Sequence, residues 1–158
     1  MRNAIALSAL TGHAVAIDHI RGNRQGQKGL KKSHLAAVKL LAEVSGSEVA
    51  GAAVGSSSLR FSPSSERTTL SDGIDGDEPL ADALSKLLLS PKPIQPEYNI
   101  RLPTAGAVFL VFQALYPYLL YAGAFQGRRI RLNLTGGTNV SFSPSYDYVT
   151  QVLIHNFA

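Results

Sequence analysis

Residues 3–44 read NAIALSALTGHAVAIDHIRGNRQGQKGLKKSHLAAVKLLAEV, and this stretch decides the fold. Ala4, Ile5, Leu7, Ala9 and Leu10 place a mostly apolar helix over Asn3 to Leu10, and Gly12 is a good helix stop. From His13 to Ile20, Ala14 and Ala16 alternate with Val15 and Ile17, the two-residue period of a strand. A loop with Gly22, Gly26 and Gly29 among basic residues follows. Ser33 is then the expected N-cap of a helix running to Val44, with Leu35, Val38, Leu41 and Ala42 on one face and Gly46 closing it.

Working outward, Glu48–Ala53 and Ser57–Ser62 read as short strands, the second ended by Pro63. The pattern then recurs. Tyr98–Leu102 is an expected strand, Ala105–Ala122 a long buried helix, and Arg128–Leu134 a strand with Ile130, Leu132 and Leu134 inward. Gly136 and Gly137 form a tight loop before a final helix over Tyr146–Phe157, and Phe61-Ser62-Pro63 is echoed by Phe142-Ser143-Pro144. A duplicated α/β unit accounts for this order, with segments 1–63 and 98–158 flanking an insert over 64–97. The insert is rich in Ser, Pro, Asp and Gly, and reads as a mobile excursion with one apolar helical patch at Leu80–Leu89.

The chain has 158 residues, 45% hydrophobic and 16% charged, enough for one domain with a real core and too apolar for wholesale disorder. The absence of cysteine excludes a disulfide framework, a thiolate zinc site and a cysteine nucleophile. Ala105–Phe125 contains Gln113 and Pro117 and reads as a buried helix, so no membrane partner is expected. Met1–Leu10 lacks the length and cleavage pattern of a signal peptide.

The net charge of +4 is unevenly spread. The insert holds seven acids against three bases, a balance of −4, which leaves +8 on the remainder. Arg2, Arg21, Arg24, Lys28, Lys31, Lys32 and Lys39 crowd the first part, with Asp18 as the one acid among them. Such a surface attracts polyanions, and Arg21 and Arg24 carry planar guanidinium forks that match phosphate oxygens. Read alone, the same charges also describe a solvated basic loop.

Four ordered stretches, LSALTGHAVAIDHIRGNR, GLKKSHLAAVKLLAEVSGSEVAGAAVGSSSLRFSP, LPTAGAVFLVFQALYPYLLYAG and LTGGTNVSFSPSYDYVTQVL, together resemble the RNA 3′-terminal phosphate cyclase family. The resemblance implies repeated βαβ-type units, each with two helices on a four-stranded sheet, similar to those of enolpyruvate transferases. It implies ATP and a divalent metal, magnesium or manganese, as cofactors and an RNA ending in a 3′-phosphate as partner. Family members adenylylate a histidine, pass AMP to the RNA 3′-phosphate and close a 2′,3′-cyclic phosphate. Carried over by position, Arg2, Arg21 and Arg24 match arginines that hold the RNA phosphate. Gln113 matches a glutamine near the nucleotide phosphates and metal, and Pro144 a proline that packs on the adenine. Without the resemblance, Gln113 reads as satisfying a backbone group inside a buried helix, and Pro144 as starting a helix.

The resemblance also places the family's glycine-rich motif and its metal-binding acid just before Arg2, and the nucleophilic histidine beyond Ala158. The expectation is a truncated member without a covalent AMP step of its own, and His13, His19, His34 and His155 are not assigned that role. The loop from Arg24 to Gly29 is one residue longer than the family pattern, and Ser33 stands where a glutamine often contacts substrate. The relatives imply a nuclear location. A noncatalytic RNA-binding protein acting with ribosome-assembly factors in the nucleolus is the alternative, and the retained Arg21, Arg24 and Gln113 favour the cyclase.

Overall fold

The structure is a computed structural model that describes residues 1–64, 90–102 and 105–157; the expected helical patch at Leu80–Leu89 lies outside the described residues. The elements run α1 (Arg2–Thr11), β1 (Val15–Ile17), α2 (Lys32–Ser45), β2 (Glu48–Ala50), β3 (Leu59–Ser62), β4 (Glu97–Arg101), α3 (Val108–Phe125), β5 (Arg131–Thr135) and α4 (Tyr146–Tyr148). The chain is thus a mixed α/β protein, as the two alternating periodicities require.

In the first half, β1 and β2 both pair antiparallel to β3, which lies between them. They therefore run parallel to each other, with α2 crossing from one to the next. In the second half, β4 and β5 pair directly and in parallel, Tyr98 opposite Leu132 and Ile100 opposite Leu134, with α3 as the crossover. A β–α–β connection occurs in each half, but the described residues form a three-stranded and a two-stranded sheet in place of the expected pair of four-stranded ones. The first strand is also shorter than expected. The strand expected to reach Ile20 ends at Ile17, because His19 and Arg21 take left-handed conformations, φ 53° and 56°, that extended chain excludes.

The helix ends follow local chemistry. Gly12 closes α1 at φ 74°, and the Ser8 hydroxyl, buried below, donates to the His13 carbonyl at 2.5 Å, fixing the turn into β1. The start of α2 corrects the sequence reading: the N-cap is Lys31, and Ser33 sits inside the first turn with no cap bond. The His34 Nδ1 supplies the acceptor there, taking a hydrogen bond from the Lys31 backbone N–H at 3.3 Å. The final helix also departs from expectation. After Tyr146–Tyr148 the hydrogen bonding widens to a π-helical turn over Val149–Leu153 and tightens to 3₁₀ over His155–Phe157, with Val149 its one buried residue among those described.

α3 is the centre of the molecule. By length and composition alone it would pass for a membrane span, yet Val111, Ala114, Leu115, Tyr118, Leu119 and Ala122 are buried and α1 and α2 pack against it. These residues join Ile5 and Ala9 of α1, Val38 and Leu41 of α2, Leu59 and Phe61 of β3 and Tyr98 of β4 in one continuous apolar cluster. The Gln126 side chain then ties the approach to β4 onto the end of α3, accepting from the Ile94 N–H at 3.2 Å and donating to the Lys92 carbonyl at 2.7 Å. The echoed Phe-Ser-Pro tripeptides do not occupy equivalent places. Phe61 is fully buried in β3, whereas Phe142 stands in a turn and is 90% exposed.

Candidate anion-binding site

An open cleft of about 1100 Å³ lies where the two halves meet. The start of α1, the β1–α2 loop and the first turn of α2 form one wall; residues 105–107, α3 and the turn at Val140–Phe142 form the other. Arg2, Arg21, Arg24 and Gln113, separated widely in sequence, all line it, together with Lys31, Lys32 and His34. Among the described residues no aspartate or glutamate lines it. A cavity walled by one sign of charge concentrates field lines and draws in the opposite sign.

Each cation is positioned differently. Arg2 Nε donates to Gln113 Oε1 at 3.1 Å, bridging α1 and α3. Arg21 Nη1 donates to the Gln27 carbonyl at 2.6 Å and to the Gly29 carbonyl at 3.4 Å, so the guanidinium is braced by its own loop. Arg24 is exposed, and its guanidinium carbon lies 5.7 Å from the centroid of the Phe142 ring. The α2 N-terminus opens on the same cleft through Lys32, Ser33 and His34, adding the positive end of a 14-residue helix.

The loop that carries the arginine pair is anchored at its base. Ile20 N–H donates to Ser57 O, Leu30 N–H to Ser56 O and Gly55 N–H to Leu30 O, at 2.8–2.9 Å. Gly29 is required here by packing. It sits at φ 75°, and a Cβ would collide with the Gly55 carbonyl and lie 2.7 Å from Ser56 O. Loop-to-loop contact is thus what demands glycine at this position.

His34, in the first turn of α2, also belongs to this site. Burial holds its pKa below the ordinary 6.5, and the charges of Arg21, Arg2 and Lys31 push the same way. The imidazole is therefore neutral at pH 7, with Nδ1 accepting from Lys31 N–H and Nε2 left as the donor. No motif signalled this; the ring enters the site through the cap geometry of α2. Gln113 is likewise not the buried backbone partner its helix implied. It is exposed on the cleft side of α3, and Pro117, lacking an N–H, leaves the Gln113 carbonyl without its helical donor. Pro144 is half-buried two residues past Phe142 and is not part of the cleft lining.

A divalent cation needs several hard oxygen ligands, usually carboxylates. Among the described residues no group of three His, Cys, Asp or Glu converges, and the Gln113 amide oxygen faces a guanidinium. The residues described fit an anion and do not by themselves fit a resident metal. The phosphates of a nucleotide suit the same surface.

A family model described as RNA 3′-terminal phosphate cyclase matches residues 1–158. Curated proteins of that name resemble the chain throughout. That of Desulfurococcus amylolyticus is 36% identical over 158 residues, covering 100% of this chain and 35% of the relative. Those of Caldivirga maquilingensis and Methanosarcina mazei are 35% identical over 158 residues and 33% over 154, covering 36% and 35% of the relatives. The chain spans about a third of the length of the relatives it matches.

Proposed function

Because the chain belongs to the RNA 3′-terminal phosphate cyclase family, we propose that it supplies the phosphate-holding part of an ATP-dependent RNA 3′-phosphate cyclase. In that reaction a histidine takes AMP from ATP with loss of pyrophosphate, and an oxygen of the RNA 3′-phosphate then takes the AMP. The vicinal 2′-hydroxyl attacks the 3′-phosphorus, AMP leaves, and the 2′,3′-cyclic phosphate remains. The contribution of this chain is to bind and orient the anions. Arg21 and Arg24 hold the RNA end, the braced Arg21 fixing its direction. Arg2 also faces the RNA phosphate, its Nε held by Gln113 while its terminal nitrogens remain for oxygen ligands, and Gln113 stands toward the nucleotide phosphates. Neutral His34, its Nδ1 occupied by the Lys31 N–H, offers its Nε2–H to the bound anion.

The observation that carries this reading is the convergence of Arg2, Arg21, Arg24 and Gln113 on one cleft that no carboxylate lines among the described residues. The test is an equilibrium titration with two short single-stranded RNAs, one ending in a 3′-phosphate and one in a 3′-hydroxyl. The phosphate end is expected to bind more tightly, and Arg21→Ala to abolish the difference. Equal affinity of the wild-type chain for both ends sinks the cyclase reading in favour of a noncatalytic RNA-binding one. Incubation with labelled ATP and magnesium is expected to leave no labelled protein band on a denaturing gel, since none of the four histidines is assigned as nucleophile.

A further inference from the structure

We propose that Phe142 is a stacking platform for the terminal nucleobase of the bound RNA, so that the site reads the last base as well as its phosphate. This rests on the RNA-end reading above and adds a contact that the phosphate-binding residues do not make.

Three independent features of Phe142 point the same way. The residue is 90% exposed, although burying a phenylalanine is among the larger single gains available to a fold. The contrast with the same tripeptide in β3 is direct, since Phe61 is wholly buried there. Second, the backbone holds Phe142 at φ 62°, a left-handed conformation unfavourable for a bulky side chain. The turn is fixed by Ser143 N–H donating to Val140 O at 3.1 Å and by Tyr146 N–H donating to Asn139 Oδ1 at 2.9 Å. An uncovered ring in a strained, hydrogen-bonded turn is held out for something other than the core. Third, the ring lines the cationic cleft, with the Arg24 guanidinium 5.7 Å from its centroid. The group assigned to the terminal phosphate is thus next to an aromatic face.

Single-stranded nucleic acid is bound in this manner, with cations along the backbone and aromatic rings under unstacked bases. The last base of an RNA end lacks a neighbour on one side, so its face is available for a ring. A guanidinium against that ring adds a cation–π contact and restrains Arg24 toward the phosphate.

The test titrates the full chain with short, fluorescently labelled single-stranded RNAs that end in a 3′-phosphate and whose last nucleotide either carries adenine or is abasic. Wild type, Phe142→Ala and Phe142→Trp are compared, with ATP and a 3′-hydroxyl RNA as further probes. Wild type should prefer the base-bearing end by roughly 5- to 150-fold, the equivalent of one base stacked on one ring. Phe142→Ala should lose that preference and Phe142→Trp keep it, while all three retain their preference for 3′-phosphate over 3′-hydroxyl. Undiminished base discrimination in Phe142→Ala overturns the proposal, as does a loss confined to ATP. If base discrimination depends on Phe142 but the wild-type chain does not distinguish 3′-phosphate from 3′-hydroxyl, the platform stands and the terminal-phosphate reading fails.

Discussion

Replacing Gly29 by alanine should be among the most damaging single-methyl additions to the loop that carries Arg21 and Arg24. Two separate penalties act. Gly29 is at φ 75°, where an L-residue loses roughly 1–2 kcal/mol. The added Cβ also lands on the Gly55 carbonyl and 2.7 Å from Ser56 O, the acceptor of the Leu30 N–H bond that anchors the loop. Overpacking of this kind typically adds about 1–3 kcal/mol. Together the expected loss is about 2–5 kcal/mol, a large part of the roughly 5–15 kcal/mol that holds a domain folded. Gly26→Ala is the internal control, because Gly26 has φ 83° but open space around its Cβ. It should lose only the conformational part, about 1–2 kcal/mol. Urea unfolding of both variants measures the difference, with midpoints falling by about 1–2.5 M for Gly29→Ala at a slope of about 2 kcal/mol/M. Equal destabilisation by the two substitutions would refute the reasoning, since the contact with Gly55 and Ser56 is what distinguishes them.

Two further predictions concern charge. Binding of single-stranded RNA should weaken with salt at a log–log slope of about −2, from roughly 0.7 per phosphate-neutralising arginine for Arg2, Arg21 and Arg24. Arg24→Ala should flatten the slope by about 0.7; an unchanged slope removes Arg24 from the interface. His34 is held below 6.5 in the folded chain by burial and the neighbouring cations, while the unfolded chain titrates near 6.5. The unfolded state therefore binds the proton first, so this stability contribution is complete above about pH 6.5 and declines as pH falls below it. His34→Gln should show a smaller drop in urea midpoint between about pH 7.5 and pH 5.5 than wild type, and an identical drop would show that His34 does not carry the effect.

The helices and most of the apolar faces were legible because periodicity reports burial directly. Val38 and Leu41 on α2, and Leu132 and Leu134 along β5 with Ile130 just before it, follow the spacing their neighbours imposed. Strand ends were less legible. The left-handed His19 and Arg21 follow from loop closure against residues 55–57, which alternation along the chain does not record. The arginine loop stood out by composition, but its partner wall did not. Arg2 and Gln113 are 111 positions apart, and only the packing of α1 on α3 brings them to 3.1 Å. His34 was hidden because its chemistry depends on cap geometry and on charges from two other elements. Phe142 was hidden for the opposite reason, since its tripeptide matches one that serves the core.

The continuous apolar cluster through α1, α2, β3 and α3 has a bearing on what the cleft reports. One wall comes from residues before position 64 and the other from residues after position 90, so neither stretch can display the site without its counterpart. An anion seated between them is a ligand of their association, and its binding energy adds to the cohesion of the whole chain. Separately expressed pieces, 1–64 and 90–158, would then associate more tightly when phosphate is present, and occupancy of the cleft would serve as a sensor of assembly.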